Sequence, residues 1–332
     1  MSKTLYIMSS CTLRRRQNTL LIETANEKPR YVPIETTREI VVMGDAELNK
    51  SMLELLNQHK IILHFFNYTG RYSGTYYPSE HTNSGPVLLA QAMHCADPDK
   101  RLAMAVSFVT GGIANMRRVA SYYQWHRNDV DAKDIIAELE YFHGLAEQAQ
   151  NIPELMGIEG SARIRYYQLF DRVVSNSDFK MVKRMRRPSG NIMNALISFL
   201  NAMSYSLALS QIYQTHLDPR ISYLHEPSGR RLSLNLDLAE IFKPLLADRL
   251  IFSLVNRRMI NACDFDKDSN GDIRLKKDKC RMILQKWDER LDETIENDGR
   301  MISWRSLVLK EARKIEKHIM GEAVYKPFIW QP

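Results

Sequence analysis

The chain has 332 residues, 44% of them hydrophobic and 26% charged. That apolar content excludes wholesale disorder, and the length suits one large or two ordinary domains. The formal net charge of +7 favours polyanionic partners.

The first 78 residues read as β-rich. Short runs of β-branched and aromatic residues (TLYIMS, NTLLIET, YVPI, EIVVMG, IILHFFN and TYYP) are separated by polar turns. One helix interrupts them, NKSMLELLNQHK, with Met52, Leu55 and Leu56 on one face. Residues 79–87 follow as a polar linker containing Gly and Pro. From 88 to 332 the pattern is helical, with helices expected near 100–123, 131–149, 153–175, 191–214, 236–257, 277–294 and 301–318. The expected fold class is α+β: a small N-terminal β-sandwich-like domain with one helix, followed by a larger all-α domain.

No apolar run reaches the roughly 18 residues of a membrane span. The longest candidate, 195–209, is interrupted by Ser198, Asn201, Ser204 and Ser206. The four cysteines, Cys11, Cys95, Cys263 and Cys280, form no C-x-x-C pair, which argues against a zinc knuckle. Scattered thiols, behind an N-terminus with no signal-peptide stretch, suit a cytoplasmic protein.

Basic residues are grouped at 14–16, 117–118, 183–187, 230–231 and 276–279. Each group alone reads as a solvated turn or helix face; together they suggest a phosphate-binding surface. The stretch DKDSNGDIRLKK, 266–277, approaches an EF-hand loop, with Asp266, Asp268 and Asn270 at positions one, three and five. Position twelve needs a bidentate Glu and holds Lys277, so a tight Asn-Gly hairpin between two short strands is expected instead.

The chemistry gathers around LHEPSGRRLSLNLDLAEIFKP, 224–244. Asp237 and Glu240 stand three apart and share a helix face, which Lys243 continues. Their neighbours Leu236, Leu238, Ile241 and Phe242 are apolar, so the helix is not freely solvated. Carboxylates entering a core need a cation or donors. His225 lies across a turn and can fold back to meet them. A histidine with carboxylates suits Mg²⁺ or Mn²⁺. Glu159, in MGIEGSARIRYY between two glycines, is the candidate third ligand. Blander readings stand beside this one. Asp237 and Glu240 fit helix N-terminal charges, Glu159 fits an i,i+4 pair with Arg163, and His225 fits a structural histidine.

At these residues the sequence resembles the first-numbered family of CRISPR-associated proteins, the endonuclease that integrates new spacers. The resemblance runs through FNYTGRYSGTYYP, GIEGSARIRYY, RPSGNIMNALISFLNAMSYSLAL, THLDPRISYLHEPSGRRLSLNLDLAEIFKP and ADRLIFSLVN. HLDPRISYLHE and DLAEIFKP look like the branch of type I-B systems. The resemblance implies a divalent-metal site of Glu159, His225 and Glu240, supported by Asp237 and Lys243. It implies strand transfer by which prespacer DNA enters CRISPR repeat DNA. It also implies a homodimer formed through the N-terminal domain and a small second-numbered CRISPR-associated partner. An iron–sulfur nuclease that trims the incoming DNA belongs to many related systems. Lys183, Arg184, Arg186, Arg187 and Arg163 are the expected DNA contacts. Many members carry a Tyr where Asn201 stands here, with Tyr205 one turn on, so no catalytic tyrosine is assigned. Alternatives are a non-catalytic DNA-binding scaffold, or a metal-dependent nuclease acting on branched DNA or RNA.

Overall fold

The computed structural model describes residues 3–25, 27–67, 70, 72–78, 84–181, 183–185, 189–226, 232–268 and 271–331. The chain packs as two units, 1–83 with 277–288, and 84–276 with 289–332.

The smaller unit holds two four-stranded sheets. One contains β1 (Lys3–Ile7), β5 (Thr37–Val42), β7 (Ile62–Phe66) and β8 (Tyr72–Tyr76), in that order. The other runs β4 (Glu27–Pro33), β3 (Thr19–Thr24), β2 (Cys11–Arg16), β6 (Ala46–Leu48). Alternation with period two sends Leu13, Leu20, Ile22, Ile40, Val42 and Leu63 into one core. Helix α1 (Lys50–Gln58) adds Met52, Leu55 and Leu56 to it, and the Asn49 side chain caps the helix by accepting from the Met52 N–H at 3.0 Å. Two strands escape the sequence pattern. β2 carries the basic run 14–16, which reads as a polar turn until Cys11 and Leu13 are seen to alternate inward. β6 has only three residues.

In the larger unit the central element is α3 (Pro98–His126), 29 residues long, against which α4 (Lys133–Glu147), α5 (Ile152–Val173) and α7 (Leu234–Lys243) pack. Asp97 caps α3 just before Pro98, and Asn151 caps α5, whose second residue is Pro153. Helix α2 (Gly85–Ala96) begins inside the stretch expected to be linker. Ser84 and Pro86 start it there, and its apolar content is not periodic enough to announce a helix.

Helix α6 (Ile192–Ile212) is long and apolar enough to cross a membrane by length and composition, with a mean hydropathy of 1.4 over its best window. Its serines do not interrupt it as expected, because Ser204 and Ser206 donate to the Leu200 and Ala202 carbonyls of the helix itself, at 2.9 and 3.1 Å. Within the protein 72% of that window is buried, the pattern of a core helix. Helix α7 runs into a π-helical turn, Pro244–Asp248, and then α8 (Arg249–Asn256).

The unit is not purely helical. Residues Phe265–Lys267 (β9) and Ile273–Leu275 (β10) pair antiparallel, which agrees with the expected hairpin. Asp268 accepts from the Asp272 N–H at 2.9 Å and pairs with Arg274, so its carboxylate is committed to the turn. Ser269 and Asn270 lie outside the described residues. A second hairpin, β11 (Thr294–Asn297) with β12 (Arg300–Ser303), lies between α9 (Lys277–Asp292) and α10 (Trp304–Ile319). All four cysteines are free thiols.

Candidate active site

Close packing of α3 on α7 sets the site. Gly111 and Gly112 remove the side chains that would hold the helices apart. A methyl group at Gly112 would stand 3.3 Å from the Glu240 carbonyl oxygen. Three residues further along α3, buried Asn115 donates through Nδ2 to the carbonyls of Ile241 and Phe328, at 3.0 and 2.9 Å. Its Oδ1 accepts from the Trp330 N–H at 2.8 Å. One amide therefore ties α3, α7 and the C-terminal segment together at the turn that carries Glu240.

The histidine loop is held from α2 and α3. Buried Gln91 donates to the carbonyls of Asp218 and Ile221 and accepts from the Asp218 N–H, all within 3.0 Å. Cys95 contacts the Ser222 carbonyl and Arg101 the Tyr223 carbonyl. From the other side, fully buried Asp237 accepts the backbone N–H groups of Tyr223, Leu224 and His225, at 2.8, 3.0 and 3.2 Å. His225 Nδ1 lies 2.7 Å from Asp237 Oδ1. With Nδ1 engaged there, Nε2 is the nitrogen left to face a ligand. Burial pulls the imidazole pKa down, but the bond to Asp237, with its charge and that of Glu240, outweighs burial, and the net shift is upward.

Glu159 on α5 and Glu240 on α7 meet across Arg163. The Arg163 Nε donates to Glu159 Oε1 at 2.8 Å, and Nη2 donates to Glu240 Oε2. Lys243 Nζ takes the other oxygen of Glu240 and lies 3.3 Å from the Tyr205 hydroxyl, over whose ring it also sits. Burial alone would raise the Glu240 carboxyl, but Arg163 and Lys243 outweigh it and hold its pKa below the usual carboxylate range. The i,i+4 pairing of Glu159 with Arg163 and the sharing of Arg163 with Glu240 therefore hold together.

The structure thus gathers Glu159 and Glu240 around one guanidinium, with Lys243 on the other oxygen of Glu240. His225 is within electrostatic reach of Glu240 and Lys243. Asp237 lies one layer behind, orienting the imidazole. Two carboxylates and an imidazole whose second nitrogen is held by a carboxylate are a donor set that fits a hard divalent ion. Their present rotamers do not form a cage. Among the described residues no three His, Cys, Asp or Glu side chains are arranged to hold a metal, and the cation between the glutamates is Arg163.

The expected DNA contacts are placed differently. Arg163 is buried in the site, its charge engaged by the two glutamates. Arg184 donates to Asn194 Oδ1 and Ser198 Oγ, both at 3.1 Å, and so is tied to α6. Lys183 is exposed, and Arg186 and Arg187 lie outside the described residues. Arg165 is paired with Asp134 and Glu138 on α4. Sequence reasoning missed Gln91, Arg101 and Asn115. Gln91 and Asn115 are polar residues in apolar surroundings, which marks a buried hydrogen-bonding role, but nothing in the sequence says to what.

The sequence profile described as "CRISPR associated protein Cas1" matches residues 5–289. The chain is 48% identical, over 99% of both chains, to the CRISPR-associated endonuclease Cas1 2 of Thermodesulfovibrio yellowstonii. A solved Cas1 protein from Thermotoga maritima superposes with a TM-score of 0.89 at 42% identity, covering 98% of this chain and all of that one. Two structures at 20% identity share the fold, each with a TM-score of 0.86. One is a casposase bound to its integration product, covering 99% of this chain and 94% of that one. The other is a Cas6-RT-Cas1–Cas2 complex, where all of this chain matches 36% of the larger one.

Proposed function

This chain belongs to the Cas1 family of CRISPR-associated proteins, and from that premise we propose that it is an endonuclease and integrase that inserts prespacer DNA into a CRISPR repeat array. The observation that carries the reading is the convergence of Glu159 and Glu240, from two helices far apart in sequence, on one cation beside an oriented His225.

The reaction exchanges one phosphodiester for another. The 3′-hydroxyl oxygen of the prespacer bonds to a repeat phosphorus as that phosphorus releases its existing oxygen. The proton of the entering hydroxyl is lost and the leaving oxygen gains one. The number of phosphodiester bonds is unchanged, so no nucleotide triphosphate is consumed. The same centre with water as the nucleophile is an endonuclease. Glu159, His225 and Glu240 would hold Mg²⁺ or Mn²⁺, which when bound supplies charge neutralisation for the scissile phosphate. Asp237 fixes which imidazole nitrogen faces the site, and Lys243 keeps a positive charge beside Glu240. Removing water from these groups strengthens each charge interaction.

The net positive charge supports binding of double-stranded DNA, with Lys183 as an exposed contact. Each phosphate neutralised adds about −0.9 to the salt slope. The family supports a homodimer through the β unit, with the small second-numbered protein, Cas2, between two such dimers. An iron–sulfur nuclease that trims prespacer ends is a further partner.

The test replaces Glu159, His225 and Glu240 singly by Ala and follows a labelled prespacer on a repeat-bearing plasmid. The expected result is loss of strand transfer by at least a hundredfold with duplex binding retained. Unchanged strand transfer overturns the assignment and leaves a DNA-binding scaffold. Hydrolysed ends without joined products from the unaltered protein leave a general nuclease.

A further inference from the structure

We propose that Arg163 is a resident counter-ion that a divalent metal must displace, so that Arg163 and the metal exclude one another at the glutamate pair. The inference rests on the metal-site reading above and adds to it a built-in competitor.

Charge counting comes first. Glu159 and Glu240 are matched by Arg163 and Lys243, so the cluster is neutral as it stands. Asp237 is bonded to His225 Nδ1 and to the backbone of its loop, and makes no contact with the glutamate pair in this arrangement. Asp248, buried behind the cluster, is pushed up to about 7 by burial and adds no full negative charge at neutral pH. Two positive charges placed between the glutamates would meet a guanidinium already bonded to both. The Arg163 side chain is only 11% exposed, so water screens little of that repulsion. Unpaired, the two carboxylates would repel each other in a poorly solvated site, which is the role Arg163 fills while metal is absent.

Geometry allows the exchange. Arg163 contacts each glutamate through a single nitrogen, Nε to one and Nη2 to the other. A long helical side chain leans over the turn N-terminal to it, here towards Glu159, and Gly160 stands next to Glu159 on that turn. A methyl group at Gly160 would meet nothing within 4 Å, so that side of the helix has open space to receive the displaced guanidinium. Lys243 is 5% exposed and is also bound at Tyr205, which holds it in place.

The experiment is calorimetric titration of the full-length protein with Mn²⁺ at pH 8, without DNA. Arg163→Gln is expected to bind Mn²⁺ at least tenfold more tightly than the unaltered protein. Its unfolding midpoint should be lower without metal and recover on adding Mn²⁺. Equal or weaker Mn²⁺ binding by folded Arg163→Gln overturns the proposal. If that variant does not fold, Arg163→Lys decides. A lone ammonium cannot bridge both carboxylates as the fork does, so tighter binding than the unaltered protein supports the proposal and equal or weaker binding overturns it. The controls are Glu159→Gln and Glu240→Gln. If both bind Mn²⁺ as the unaltered protein does, it is the metal-site reading itself that fails.

Discussion

Asp237 Oδ1 lies 2.7 Å from His225 Nδ1, while Oδ2 accepts two backbone N–H groups of the same loop. A carboxylate surrounded by donors is the acceptor, so Nδ1 carries the hydrogen. The acidic position beside the proposed ligands thus folds the loop and aims the ring. The pair also couples charge to both stability and metal affinity.

Replacing Asp237 by Asn tests that coupling. The His225 pKa is raised, so its charged pairing is fully present below about pH 6.5 and is lost as pH rises through the higher folded value. Asp237→Asn should cost about 3 kcal/mol at pH 6, from lost charge-assisted hydrogen bonds, and less at pH 9. Urea unfolding at the two pH values reads the difference; an equal loss at both would show that the imidazole is not the charged partner. Metal binding needs neutral imidazole. The acid limb of Mn²⁺ affinity in the unaltered protein should therefore follow the raised imidazole pKa and move to lower pH in the variant.

Asn115 is the second target. Asn115→Ala leaves two carbonyls and one N–H without their partner in a buried place. The expected loss is about 3 kcal/mol, from unsatisfied polar groups plus the small void. Because one of those carbonyls is that of Ile241, next to Glu240, strand transfer should fall further than the folded fraction does. A variant with unchanged unfolding would show that α3 does not anchor α7 through this amide.

The sequence makes the β-then-α order legible because periods of two and 3.6 are local properties. Met52, Leu55 and Leu56 face the core as their spacing requires. The candidate site is legible as residue types, the i,i+3 acids, the preceding His and the Glu between glycines, and the fold brings Glu159 and Glu240 to one guanidinium. What local pattern could not supply is pairing. That Arg163 reaches from Glu159 to Glu240 is a contact between α5 and α7, which no local pattern announces. The missed helix α2 has the same origin, since its function is to hold the loop 218–222 through Gln91 and Cys95, neither of which advertises a partner. Strand β2 was hidden because its last three residues are arginines, whose exposure alternates weakly.

The two glycines of α3 give a ranking. A Cβ at Gly111 would stand 2.5 Å from the Pro327 Cβ, a rigid atom that cannot turn away. Gly111→Ala should therefore destabilise by about 1–3 kcal/mol through overpacking. At Gly112 the Cβ meets the Glu240 carbonyl at 3.3 Å, a clash relieved by a few tenths of an ångström. There the helix propensity of Ala offsets part of the cost, by up to about 1 kcal/mol. Gly112→Ala should stay within about 1 kcal/mol of the unaltered protein yet lose strand transfer, since the relief moves Glu240. Thermal unfolding of both variants checks the order, and a reversed order would contradict this packing.

Asp248 closes the π-helical turn after α7, is 2% exposed, and has its pKa pushed up to about 7 by burial, which outweighs the pull of Arg163 and Lys243. Between the unfolded value of about 4 and the folded value near 7, the folded chain keeps a proton that the unfolded chain releases. Stability therefore falls as pH rises through that window, and the full penalty persists above it. Asp248→Asn keeps the shape and removes the ionisation. It should match the unaltered protein near pH 4 and be more stable by roughly 1–3 kcal/mol at pH 8. Chemical unfolding at both pH values measures the gap. A gap that does not widen with pH would mean that Asp248 is already ionised when folded, with its charge taken up by the Arg163 and Lys243 cluster.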